Sequence, residues 1–81
     1  MAAKSRKTVC SKVAKLLKAE RQRQNLSMTV VAQRAGLSQQ SVSYLEREMR
    51  MPTLDTLLRV ADVLKIPLEN VIAEARKPAK K

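Results

Sequence analysis

The feature that most constrains this chain lies near its centre, where two capped apolar segments are separated by a three-residue turn. Ser27 precedes residues 28–35, Gly36 ends them, and Ser38 opens a second segment over residues 39–48. A serine hydroxyl at a helix N-cap accepts a hydrogen bond from a first-turn N–H that has no partner inside the helix. Glycine closes a helix because it enters the left-handed region without a Cβ clash. Val31, Ala32, Ala35, Leu37, Val42 and Leu45 supply apolar positions between the two segments. Ala32 is small where two such helices come closest, and a larger side chain there would overpack the contact. The spacing predicts two short helices joined by a tight turn, the geometry of a helix-turn-helix.

The flanking sequence extends the same all-α pattern. Residues 8–24 carry Val9, Val13, Leu16, Leu17 and Glu20 at helical spacing, with Lys12, Lys15 and Lys18 on other faces. Asn25 follows as a left-handed cap. Pro52 and Thr53 open a helix over residues 54–64, with Thr53 as N-cap, Asp55 in the first turn, and Leu54, Leu57, Leu58, Ala61 and Leu64 as an apolar stripe. A last helix is expected over residues 68–75, where Leu68, Val71 and Ile72 are apolar. No stretch alternates for long enough to read as a strand. The expected organisation is a flexible basic arm (1–7), one compact bundle of five helices (8–75) and a basic tail (76–81) that Pro78 keeps from continuing a helix.

Composition narrows the function. Lys and Arg number 17 against 7 Asp and Glu, a formal charge of +10, which calls for a polyanionic partner. Single-strand and RNA readers stack bases on aromatic side chains, and Tyr44 is the sole aromatic residue. Reading a duplex groove needs only Arg, Lys, amides and hydroxyls. With no His and Cys10 the only Cys, neither an intramolecular disulfide nor a Cys/His zinc site can form. Cys10 reads as a small buried hydrophobe in a reducing compartment. No metal, no cofactor and no enzymatic activity are expected. No run is apolar enough to span a bilayer, and the N-terminus lacks the hydrophobic run of a secretory signal, so a cytoplasmic location is expected.

The run NLSMTVVAQRAGLSQQSVSYLERE, continued by RMPTLDTLLRVADVLKIPLENVI, resembles the Cro/repressor-type (XRE-like) helix-turn-helix regulators of phage and bacteria. The likeness covers about residues 9–75 and rests on a combination: LS before the first short helix, A-x-x-A-G-x-S across the turn, V-x-x-L-E in the second, then P-T-L-x-T-L-L-x-V-A. It implies a lambda-repressor-like five-helix domain whose second short helix enters the major groove while the first crosses the backbone. On that mapping Ser38, Gln39, Gln40, Ser41 and Tyr44 face the bases. A Gln amide suits adenine N6 and N7, and a Ser hydroxyl reaches bases or phosphates. Tyr44 stands one turn beyond Gln40, within reach of a phosphate or a thymine methyl, or else packs against the preceding helix. Taken singly, Gln and Ser on a helix are ordinary surface residues, and Ser38 is a cap in any case.

The resemblance also pairs Arg21 with Glu46 as a partly buried bidentate bridge. It implies phosphate contacts for Arg47 and Arg50, and the basic charge of the chain adds Arg34 near the end of the first short helix and Lys4, Arg6 and Lys7 of the arm. Two departures stand out. Met28 occupies the place where many relatives carry a DNA-touching Gln. Glu48 occupies the place of the usual Gly after the recognition helix, so either Glu48 accepts a strained backbone or the helix runs on. Lys65 replaces another usual Gly.

A single short recognition helix reads few base pairs, and each mismatch costs only ~1–3 kcal/mol. A homodimer on a palindromic operator doubles the reading, with half-sites about 10–10.5 bp apart or a multiple of that. Val63, Ile66, Leu68, Val71 and Ile72 are the candidate dimer surface, unless they only close the core. The expected function is sequence-specific binding of double-stranded DNA by a transcriptional regulator, with RNA polymerase as a further partner if it activates. Three rivals accompany it: an antitoxin that binds a toxin through Met28 and Val30, a charge-driven nucleoid or RNA binder, and a basic helix on a membrane surface.

Overall fold

The computed structural model describes residues 6–77. These residues form five helices and no strand: α1 (Arg6–Arg23), α2 (Met28–Ala35), α3 (Gln39–Glu46), α4 (Leu54–Leu64) and α5 (Leu68–Arg76). The largest fully buried side chains are Leu17, Val31, Val42 and Leu64, one from each of the first four helices. Leu68, Val71 and Ala75 bring α5 into the same core. The long α1 packs chiefly against α5, while α2 packs against both α3 and α4. A short helix gains most of its stability from such packing of one face, so α2 and α3 are rigid because the other helices hold them.

Each of the first four helices ends in the same way. Just beyond the helix, one N–H returns to a carbonyl five residues back: Leu26 to Arg21 (3.1 Å), Leu37 to Ala32 (2.9 Å), Met49 to Tyr44 (3.0 Å) and Ile66 to Ala61 (3.1 Å). The residue before each of these is left-handed: Asn25 (φ 59), Gly36 (φ 72), Glu48 (φ 58) and Lys65 (φ 60). This is the Schellman closure, which normally favours glycine at the left-handed position and an apolar residue after it. Here the apolar residue is supplied four times and the glycine once. Asn tolerates the left-handed region better than most residues, while Glu48 and Lys65 each carry a cost of roughly 1–2 kcal/mol. Leu26, Leu37 and Ile66 fold back against the core, but Met49 stays 57% exposed.

Several boundaries differ from those the sequence predicts. α1 includes Arg6 and Lys7, ahead of the predicted start at Thr8, because nothing there breaks a helix and Arg and Lys are good helix formers. Arg6 and Lys7 are therefore helical and not part of a flexible arm. α3 stops at Glu46, two residues short of the predicted end, and of the two alternatives for Glu48 the molecule adopts the left-handed one. α5 runs one residue further, to Arg76. The apolar stripe of α4 is also corrected: Leu57, Val60, Ala61 and Leu64 are buried, whereas Leu54 and Leu58 point outward at 62% and 43% exposure. Met28 is half-buried and packs against the core, and Val30 is half-buried as well. Lys4 of the arm and residues 78–81 of the tail lie outside the described residues.

Candidate nucleic-acid interface

The candidate site is built on α3, and its N-terminus is set by the turn before it. Ser38 Oγ accepts the Ser41 N–H at 3.0 Å, and the two hydroxyls are themselves 3.0 Å apart. Ser38 and Ser41 thus spend hydrogen-bonding capacity on capping the helix. Ser38, Gln39 and Gln40 are exposed, Ser41 and Tyr44 half-buried. Val42 and Leu45 anchor the opposite face of α3 in the core. A helix with one face fixed in this way presents its other face at a constant height and angle.

The outer face forms a shallow groove of about 460 Å³, lined by Gln39, Gln40, Ser43, Tyr44, Arg47 and Met49. It brings together three of the predicted base contacts, Gln39, Gln40 and Tyr44, with the predicted phosphate contact Arg47. It adds Ser43 and Met49, which sequence reasoning missed. Ser43 follows from helical spacing, four residues beyond Gln39; the exposure of Met49 has no sequence signal. Tyr44 also borders a second depression of about 210 Å³ with Ser41, Arg50 and Thr56. Gln40 Nε2 donates to the Tyr44 hydroxyl at 2.8 Å. The Arg50 guanidinium lies over the Tyr44 ring, 4.7 Å from its centroid, within cation–π range. Arg47 and Arg50 follow the C-terminus of α3, where the helix dipole favours cations, while Arg34 is exposed near the end of α2.

Two arginines fasten this unit to the rest of the bundle. Arg21 Nε and Nη2 donate to Glu46 Oε2 and Oε1 at 2.5 and 2.9 Å, and Arg21 Nη1 donates to the Leu26 carbonyl at 2.7 Å. The two side chains are only 13% and 6% exposed. The fork therefore ties the last turn of α3 to the end of α1 in a single geometry. The second fastening was not foreseen. Arg59 on α4 donates to the Ala35 carbonyl at 3.1 Å and to Asp55 Oδ2 at 2.8 Å, pinning the turn between α2 and α3 from outside. Arg59 Nη1 stands 3.1 Å from where a Cβ on Gly36 would lie. At the far end of α1, Glu20 receives hydrogen bonds from Arg23 and Gln24 that lower its carboxyl to about 2, and Gln24 continues to the Leu64 carbonyl at 2.8 Å.

The five residues put forward as a dimer surface divide. Leu68 and Val71 are buried in the core of the single chain, where α5 closes the bundle against α1. Val63, Ile66 and Ile72 are half-buried against that core.

Compared with known proteins, residues 17–71 match the family model described as Helix-turn-helix, more than half of the chain and the whole of α2 through α4. The chain belongs to the helix-turn-helix family of XRE type. As a member it is a DNA-binding transcriptional regulator. The solved structure of a point mutant of the restriction-modification controller protein C.Esp1396I has the same fold, with a TM-score of 0.75 over 83% of this chain and 87% of that one at 21% identity. No curated protein matches this helix-turn-helix regulator in sequence. No helix among its described residues is long and apolar enough to cross a membrane.

Proposed function

We propose that this regulator binds a palindromic operator in double-stranded DNA as a homodimer, with α3 of each copy in the major groove. The observation that carries the reading is the composition of the exposed face of α3. Two adjacent amides, Gln39 and Gln40, stand at its N-terminal end and two cations, Arg47 and Arg50, follow its C-terminal end. Amides discriminate bases through paired donor and acceptor groups, and cations hold phosphates without reading them. The two kinds of contact lie along one helix in the order a groove-bound helix requires. Arg34, Arg6 and Lys7 are candidates for further phosphate contacts, with Lys4 beyond the described residues.

Occupying an operator regulates by excluding or recruiting polymerase, and no catalytic chemistry is needed for either. The dimer follows from the few base pairs one α3 can reach. Its surface draws on the half-buried Val63, Ile66 and Ile72 together with Leu54 and Leu58, the exposed leucines of α4.

Selection of bound sites from random duplex DNA at near-physiological salt tests the proposal. The expected product is a two-fold symmetric motif with half-sites about one helical turn apart. Binding without an enriched motif, collapsing uniformly as salt rises, would instead mark a charge-driven nucleic-acid binder.

A further inference from the structure

We infer that Arg50, Tyr44 and Gln40 act as one unit that couples a phosphate contact to a base contact, with Tyr44 the positioning residue for Gln40. The inference rests on the reading of α3 as the base-reading helix. Three observations carry it. Gln40 Nε2 donates to the Tyr44 hydroxyl at 2.8 Å across one helical turn. The guanidinium of Arg50 stacks 4.7 Å from the centre of the Tyr44 ring. Arg50 itself lies on the segment that leaves the left-handed Glu48, whose carboxylate accepts a 2.6 Å hydrogen bond from Ser11 Oγ on α1.

A free glutamine side chain is a poor reader because its rotamers must be frozen when it meets a base. The bond to Tyr44 freezes Gln40 before DNA arrives. It uses one of the two amide N–H groups and leaves the other N–H and the carbonyl oxygen, the pair that adenine N7 and N6 require. Arg50 in turn stacks by its flat face, which leaves the N–H groups at its edge to meet a phosphate. A phosphate held by Arg50 thereby fixes the ring, and the ring fixes the amide. Gln39, one residue away, has no such tie to Tyr44 and serves as the internal control.

The unit predicts an effect that separate contacts would not give. Tyr44→Phe keeps the ring and the stacking but removes the hydroxyl. It should lower discrimination roughly three- to tenfold at the base pair read by Gln40, and leave the position read by Gln39 as it was. Arg50→Lys keeps the charge and loses the planar stack, and should weaken the same position. A purely phosphate-binding Arg50 would change affinity equally for all sequences. The experiment is site selection with wild type, Tyr44→Phe, Arg50→Lys, Gln40→Ala and Gln40→Ala/Tyr44→Phe. It is paired with NMR of the Gln40 side-chain amide in the free protein. The expected result is a loss confined to one symmetric position. Tyr44→Phe should have no further effect once Gln40 is gone, and the Gln40 amide signal should shift and sharpen in Tyr44→Phe without DNA. An enriched motif with unchanged contrast in Tyr44→Phe, or equal losses at all positions, overturns the coupling while leaving the operator reading standing. A wild type that enriches no motif overturns the operator reading and this role with it, and the free-protein amide signal then reports only a structural contact.

Discussion

The two connections that flank α3 solve the same problem with different materials. Before α3, residues 36–38 close α2 with the one glycine of the chain, fold Leu37 onto the core and cap the next helix with Ser38. After α3, residues 47–53 close it with a glutamate in the left-handed region and leave Met49 in solvent. The entry is held by backbone geometry and packing, with Arg59 bonded across it. The exit is held by side-chain contacts: Arg21 on Glu46, Ser11 on Glu48, Arg50 on Tyr44. A recognition helix must be placed accurately, and this one is rigid where it starts and tied by replaceable contacts where it ends. Apart from the buried Arg21–Glu46 fork, the exit is therefore where sequence change alters DNA reading at least cost to the fold.

The largest way to break that comparison is at the Arg21 fork. Glu46→Ala leaves a guanidinium partly buried with only the Leu26 carbonyl to bond. It should destabilise the domain by about 3 kcal/mol, since an unpaired buried charge costs far more than the intact pair gains. Thermal unfolding measures it, and an unchanged midpoint would show that the exit does not depend on this contact. Next comes the entry glycine. Gly36→Ala places a Cβ at positive φ and 3.1 Å from Arg59 Nη1, and should cost about 1–2 kcal/mol. That is a fall of roughly 4–8 °C per kcal/mol for a domain of this size.

The strained positions give the opposite sign. Lys65→Gly relieves left-handed backbone without giving up a side-chain hydrogen bond and should stabilise by about 1 kcal/mol. Glu48→Gly relieves the same strain but forfeits the Ser11 hydrogen bond, so its gain should be smaller. Equal gains at the two sites in denaturant titration would mean that the Ser11 contact contributes nothing to the exit.

The smallest effect lies outside both connections, at the end of α1. Glu20 is held near 2 against an ordinary 4.5 by Arg23 and Gln24. Because the folded value is the lower one, its contribution is fully present above about pH 4.5 and is lost as pH falls towards 2. Glu20→Gln should lower stability slightly near neutrality and flatten the curve between about pH 4.5 and 2, where wild type loses the same contribution.

These differences also explain which parts were legible in the sequence. The bounds of α2 follow from residue types, because the Ser27 hydroxyl opens it and Gly36 closes it, and α4 is opened by the Thr53 hydroxyl and stopped short of Pro67. The end of α3 was not legible, because glutamate at a Schellman position carries no glycine signal and the helix reads as two residues longer. Apolar spacing marked α4 as amphipathic but placed Leu54 and Leu58 inside and passed over Val60. A stripe pattern does not say which side of its edge the core takes. For the same reason Leu68 and Val71 looked equally suited to a partner or to the bundle, and only packing against α1 assigns them to the bundle. Within the site, the adjacency of Gln40 and Tyr44 was visible at helical spacing. The reach of Arg50 back to Tyr44 and of Arg59 to Ala35 depends on how the chain folds over itself, and no local pattern encodes it.

The central claim is that the amides of α3 read bases while its cations hold the backbone. The measurement that tests it most directly is site selection from random duplex DNA by wild type and by Gln39→Ala/Gln40→Ala, each over a range of salt. The account predicts a symmetric motif for wild type, loss of contrast at a few symmetric positions in the variant, and the same salt slope for both. A motif that survives the double substitution intact, or a variant whose affinity falls equally on every sequence, would contradict it.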